Sequence, residues 1–189
     1  MFIVIEGLDG TGKSTVSKAL AEALNAELLT TPDTSLKPAR ETIDSAYQHT
    51  PLARQLFYAS SVVQLSDKIK ALRDSGKRIV VDRYWLSTQV YHAWKTHHQH
   101  LLLKEVEGRL QVPDMTIYLT LPLALRSDRI KGRSDNTQED NLTLTLEADR
   151  SLNETYRSYK DAAIVGQWLE IDSVNEVEKV ISDIKSALR

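Results

Sequence analysis

Eight consecutive residues, Gly7-Leu8-Asp9-Gly10-Thr11-Gly12-Lys13-Ser14, fit the pattern G-x-x-x-x-G-K-[ST] in full. The chemistry they can do is to hold a triphosphate. Backbone N–H groups must converge on phosphate oxygens and side chains would block the approach, and three of the chain's seven glycines fall inside these eight residues. A helix starting near Lys13 turns its positive dipole end toward the same anion. Lys13 supplies a point charge for the β- and γ-phosphates, and the Ser14 hydroxyl is placed to ligate Mg²⁺. Asp9 cannot face a bound triphosphate without repulsion, so it is expected to point outward, toward a second substrate. Glu6, beside the loop, reads as a carboxylate satisfied by neighbouring N–H groups, with the metal shell or a substrate as the alternative.

Two further groups suit phosphoryl transfer. Asp82-Arg83-Tyr84 closes an apolar run, and a strand tip puts Asp82 at the carboxyl edge of a sheet, where ligands of open α/β sheets bind. There Asp82 holds Mg²⁺ through water or orients an acceptor phosphate, and Arg83 clamps that phosphate bidentately. Arg126, Arg129 and Arg133 follow at i, i+3 and i+7, one face of a helix. They lead into residues 131–141, which contain no hydrophobic side chain. That stretch reads as a mobile lid whose arginines neutralise the transferring phosphoryl group, a role worth ~10³–10⁵ in rate for one well-placed arginine.

The elements that must position these residues alternate. Short apolar, β-branched runs at Phe2–Glu6, Glu27–Thr30, Arg78–Asp82, Met115–Leu121 and Trp168–Ile171 read as strands. Between them lie amphipathic stretches, Lys13–Asn25 and Pro51–Ser75 among them, with Gly76 as the stop after the second. Ser173-Val174-Asn175-Glu176 reads as a capping box for a last helix. The fold expected is α/β: a three-layer, doubly wound, parallel five-stranded sheet. Without an internal repeat or a linker, residues 1–189 are expected to form one domain with a lid around 131–141.

Composition narrows the function classes. At 189 residues, 41% hydrophobic and 26% charged, the chain fits a globular domain. A net charge of −2 is far from the basic excess of a nucleic-acid binder, and no apolar run approaches the ~20 residues of a membrane span. The absence of cysteine removes disulfides and thiolate zinc sites. The expectation is a cytoplasmic protein with neither nucleic acid nor membrane as partner. Neither an Asn/Thr-Lys-x-Asp guanine motif nor a Leu-Ser-Gly-Gly-Gln segment occurs. A small-molecule kinase therefore stands ahead of a switch or a motor, and a non-catalytic nucleotide-sensing protein is the alternative of another class.

The opening Phe-Ile-Val-Ile-Glu-Gly-Leu-Asp-Gly-Thr-Gly-Lys-Ser-Thr, the block from Asp82 to Tyr91 and Pro113-Asp114-Met115-Thr116-Ile117-Tyr118-Leu119 together resemble the thymidylate kinase family of nucleoside monophosphate kinases. The resemblance runs essentially end to end. It implies an ATP- and Mg²⁺-dependent transfer of the γ-phosphoryl group to a pyrimidine nucleoside monophosphate, dTMP to dTDP first, by a homodimer. It further implies nucleotide contacts from Gly7, Leu8, Asp9, Gly10, Thr11, Gly12, Lys13, Ser14 and Thr15, with Ser14 and Asp82 toward the metal. Asp9 would meet the acceptor's 3′-hydroxyl, Arg83 its phosphate, Phe57 would stack on the base, Thr88 would approach the base edge, and Tyr91 would disfavour ribose. Lys13, Asp82 and Arg83 would take part in catalysis, as would the lid arginines, chiefly Arg129 and Arg133, the last two because Gly10 stands where some relatives carry an arginine. The loop at Asp172-Ser173 would sit near adenine.

Two departures bear on the acceptor. Ser61 stands where the family usually carries an arginine for the thymine carbonyl, and Thr30-Thr31-Pro32-Asp33-Thr34 replaces the usual Arg-Glu-Pro-Gly-Gly-Thr. With Arg40 and Arg54 downstream, this is similar to the UMP-CMP kinase 2 branch, which makes UMP/CMP or their deoxy forms the alternative substrates. His92, His97, His98 and His100 read as a solvated loop between two helices, not as a metal site, because no carboxylate or thiolate is interleaved. Trp85 and Tyr156 read first as packing residues.

Overall fold

The computed structural model describes residues 1–132 and 138–188. Five strands, β1 (Phe2–Gly7), β2 (Glu27–Thr30), β3 (Ile79–Asp82), β4 (Met115–Thr120) and β5 (Gln167–Asp172), form one sheet in the order β2-β3-β1-β4-β5. Every pairing is parallel, with Ile3 opposite Val80 on one side and Met115 on the other. The helices are α1 (Lys13–Leu24), α2 (Lys37–Ala46), α3 (Pro51–Asp74), α4 (Trp85–Lys95), α5 (Lys104–Glu107), α6 (Leu123–Lys131), α7 (Gln138–Leu142), α8 (Leu146–Ser158) and α9 (Val177–Ala187).

Strand alternation explains the two cores. Phe2 and Val4 point to one face and pack with Val62, Leu65 and Ile69 of α3, Trp85 and Val90 of α4, and Leu152 and Tyr156 of α8. Ile3 and Ile5 point to the other and pack with Val16 and Leu20 of α1 and Val180 and Ile184 of α9. A strand covered on both faces must be apolar at every position, and burying each such side chain contributes about 1.5–3 kcal/mol. This three-layer, doubly wound arrangement is the expected fold class. No helix among the described residues is long and apolar enough to cross a membrane.

Four expectations change. Part of the apolar-free stretch forms a short helix, α7. The last helix has Glu176, not Ser173, as its N-cap residue, because the Ser173 hydroxyl is spent on the phosphate loop. His92 lies within α4 and is buried, since it sits on the helix face turned inward. Arg126, expected with Arg129 and Arg133 on the face leading into the lid, is fully buried.

Candidate functional site

The site begins where β1 ends. A Cβ on Gly7 would stand 2.6 Å from the Leu119 carbonyl oxygen, so only glycine lets the chain leave the sheet beside β4. At Gly10, φ is +86° and a Cβ would stand 3.0 Å from the Arg126 carbonyl oxygen. The loop is pressed against α6 there. Arg126 returns the contact: its Nε donates to the Asp9 carbonyl at 2.8 Å while its guanidinium pairs with Asp149 and bonds the Thr143 hydroxyl. Ser173 Oγ lies 2.8 Å from the Thr11 carbonyl oxygen, and Arg129 Nη2 donates to the Ser173 carbonyl at 3.1 Å. The Asp9 and Thr11 carbonyls are thus tied from behind, an arrangement that suits a nest of N–H groups for an anion.

Lys13 is nearly inaccessible and donates to the Leu8 carbonyl at 2.7 Å, with Asp9 3.8 Å away. Burial, aided by the nearby Arg83 charge, pulls its ammonium down to about 8. One residue on, Ser14 Oγ donates to Asp82 Oδ2 at 2.6 Å. Asp82 Oδ1 is buried with no hydrogen-bond partner. A hydroxyl and an orphaned carboxylate oxygen side by side suit a small hard cation that takes its remaining oxygens from phosphate and water.

The acceptor side is built on the turn after β3. Arg83 adopts a left-handed backbone at φ +68°, a conformation that side chains rarely hold without support. Support comes from Glu6, fully buried, whose carboxylate accepts from Tyr84 N at 3.0 Å, Ser87 N at 3.3 Å and Ser87 Oγ at 2.6 Å. Burial raises the Glu6 carboxyl above its ordinary range against these bonds. Arg83 is ion-paired with Asp9, and Tyr91 donates to the other Asp9 oxygen at 2.7 Å. Burial alone would raise the Asp9 carboxyl, but Arg83, Lys13 and Tyr91 outweigh it and hold it well below its ordinary range.

These groups open into a cleft of about 370 Å³. Of the residues singled out from the sequence, it brings together Asp9, Ser14, Arg40, Asp82, Arg83, Thr88 and Tyr91. Phe57 and Ser61 are not among its lining residues. Phe57 is half-buried edge-on against Tyr58, and the buried Ser61 spends its hydroxyl on the Tyr58 carbonyl at 2.7 Å. Tyr58, Arg54, His92 and Lys95 line the cleft in their place. Asp44 gathers that end, accepting from Arg54 Nε at 2.9 Å and from Tyr58 OH at 2.9 Å, with Arg40 Nε 3.5 Å away. A spacing signal existed: Arg54 and Tyr58 are four apart on α3, and Thr88, Tyr91, His92 and Lys95 share a face of α4. Arg129 lies beside the phosphate loop, and Arg133 falls outside the described residues.

A family model described as thymidylate kinase matches residues 5–184. A thymidylate kinase of Photobacterium profundum is 28% identical, the match covering 99% of this chain and 95% of the relative. A protein of Thermococcus gammatolerans named "Probable thymidylate kinase" is 30% identical over 97% of this chain and 93% of its own. Among solved structures, deoxyadenosine kinase from M. mycoides with bound dATP superposes with a TM-score of 0.70 at 21% identity, covering 100% of this chain and 99% of that one. That likeness is one of fold.

Proposed function

The chain belongs to the thymidylate kinase family, and on that premise we propose that it transfers the γ-phosphoryl group of ATP to dTMP, giving dTDP and ADP. One observation carries the reading. Ser14 of the phosphate loop and Arg83 of the β3 turn face a single cleft, with Asp9 paired to Arg83 between them. A donor phosphate chain and an acceptor phosphate can therefore meet in line.

No covalent intermediate is needed. Loop N–H groups and Lys13 hold the β- and γ-phosphates, and Arg83 exchanges its pairing with Asp9 for the acceptor phosphate. The released Asp9 then accepts from the sugar 3′-hydroxyl, and the Tyr91 ring beside it excludes a 2′-hydroxyl. Ser14 and Asp82 Oδ1 would hold Mg²⁺, which would supply positive charge against the phosphates. Arg129, beside the loop, and Arg133 bring the cationic charge that the spreading transition-state anion requires. Tyr58, not Phe57, offers the cleft an aromatic face for the base. Residues 1–189 act as one kinase domain with a lid around 131–141. The stripe of exposed Leu52, Leu56 and Val63 on α3 is proposed to seat a second copy.

An ADP-release assay over dTMP, dUMP, UMP, CMP and dCMP tests the reading. Release dependent on dTMP is expected. ATP binding without release for any monophosphate would overturn it in favour of a nucleotide sensor.

A further inference from the structure

Among the described residues, three that line the cleft carry a buried polar atom without a hydrogen-bond partner: Asp82 Oδ1, Thr31 Oγ1 and His92 Nε2. The first suits a cation. The second is a hydroxyl, able to donate or accept, and selects nothing by itself. The third is different, because its role is fixed. His92 Nδ1 lies 2.7 Å from the Thr88 carbonyl oxygen, an atom that can only accept, so Nδ1 carries the proton. Burial, with Lys95 and Arg54 adding like charge, holds the ring down to about 4, so it stays neutral near pH 7. Nε2 is therefore a lone-pair acceptor on a residue 5% exposed, whose ring centroid lies 5.9 Å from that of Tyr58. Leaving such an atom dry and unpaired is unfavourable unless a ligand satisfies it.

The neighbours set what that ligand presents. Arg54 and Lys95 line the same end of the cleft, and guanidinium and ammonium groups only donate. The wall thus offers one buried acceptor among donors. The imide edge of thymine or uracil, an N3–H between two carbonyls, supplies a donor for that acceptor and acceptors for the donors. Cytosine offers a bare N3 to an acceptor and an amine to a cation, two mismatches.

We propose that His92 reads the acceptor base, its Nε2 accepting the N3–H of an imide pyrimidine while Arg54 and Lys95 turn to the flanking carbonyls. The assignment rests on the cleft taking the acceptor nucleotide, as proposed above. It makes His92 the specificity residue at a place where Ser61, turned into its own helix, contributes nothing.

The test compares dTMP, N3-methyl-dTMP and dCMP in steady-state ADP release, using the intact protein. With wild type, kcat/KM is expected to fall about 10²-fold or more when N3 is methylated, and similarly for dCMP, because a buried acceptor loses its donor. His92→Ala should compress the dTMP to N3-methyl-dTMP ratio to within a few-fold, and His92→Gln, whose carboxamide oxygen can accept, should restore it in part. The wild-type comparison needs no variant to fold. Equal use of dTMP and N3-methyl-dTMP, or of dTMP and dCMP, would overturn the assignment while leaving the kinase intact. ADP release with none of the monophosphates would instead remove the kinase reading beneath it.

Discussion

The two ends of the cleft are held by different means. At the phosphate end, the backbone does the holding: loop carbonyls of Asp9 and Thr11 are taken by Arg126 and Ser173, and the glycines admit no side chain. At the base end, side chains hold side chains, with Asp44 gathering Arg40, Arg54 and Tyr58. The lesson is that the reaction common to a family is built into main-chain geometry, which few substitutions can reach. The substrate is built into side chains on α2, α3 and α4, where single changes suffice.

That contrast can be broken. The largest effect is expected at Lys13: Lys13→Ala should lower turnover on the order of 10²–10³-fold with circular dichroism unchanged, and near-normal turnover would remove the loop from the chemistry. Arg126→Met leaves Asp149 and the Asp9 carbonyl without their donor and should cost about 3 kcal/mol in denaturant unfolding; an unchanged midpoint would show that the loop does not depend on this clamp. The Lys13 ammonium, brought from 10.5 to about 8, gives a pH signature. As pH rises above 8 the charge is lost, so ATP affinity of the free enzyme should fall by about tenfold per pH unit. The unfolded chain binds the extra proton between 8 and 10.5, so fold stability moves the opposite way and rises through that window. A flat titration by fluorescent ATP analogue would contradict this. The smallest effect belongs to Ser61→Ala, which removes only a bond to its own helix and should leave acceptor KM within about two-fold; a larger change would bring Ser61 back to the base.

The contrast also decides what could be read from the chain beforehand. The phosphate end is contiguous in sequence, so Gly7 to Ser14 announce it, and Asp82 and Arg83 follow because a parallel strand must end beside it. All five strands fall within a residue or two of their expected bounds, since apolar runs covered on both faces have little freedom. The base end is assembled across more than fifty residues, from Arg40 to Lys95, by the packing of α3 on α4. Helix rotation decides there that Tyr58 and not Phe57 meets the cleft, and periodicity alone does not fix that angle. Likewise Ser173 looks like a helix cap until β4 and the phosphate loop come within reach of its hydroxyl, and His92 looks solvated until α4 turns it inward.

Glu6 has one more implication. It is the residue before Gly7 on β1, and its carboxylate grips the turn that carries Arg83. The span between the two phosphate-gripping groups is therefore a gauge cut into the scaffold, set by one strand and one carboxylate and not by whichever nucleotides arrive. Re-engineering the far wall for another base should leave that gauge untouched, so altered substrates ought to react at similar rates once bound. Shortening Glu6 to aspartate should do the reverse, keeping the preference for a base while blunting every transfer alike.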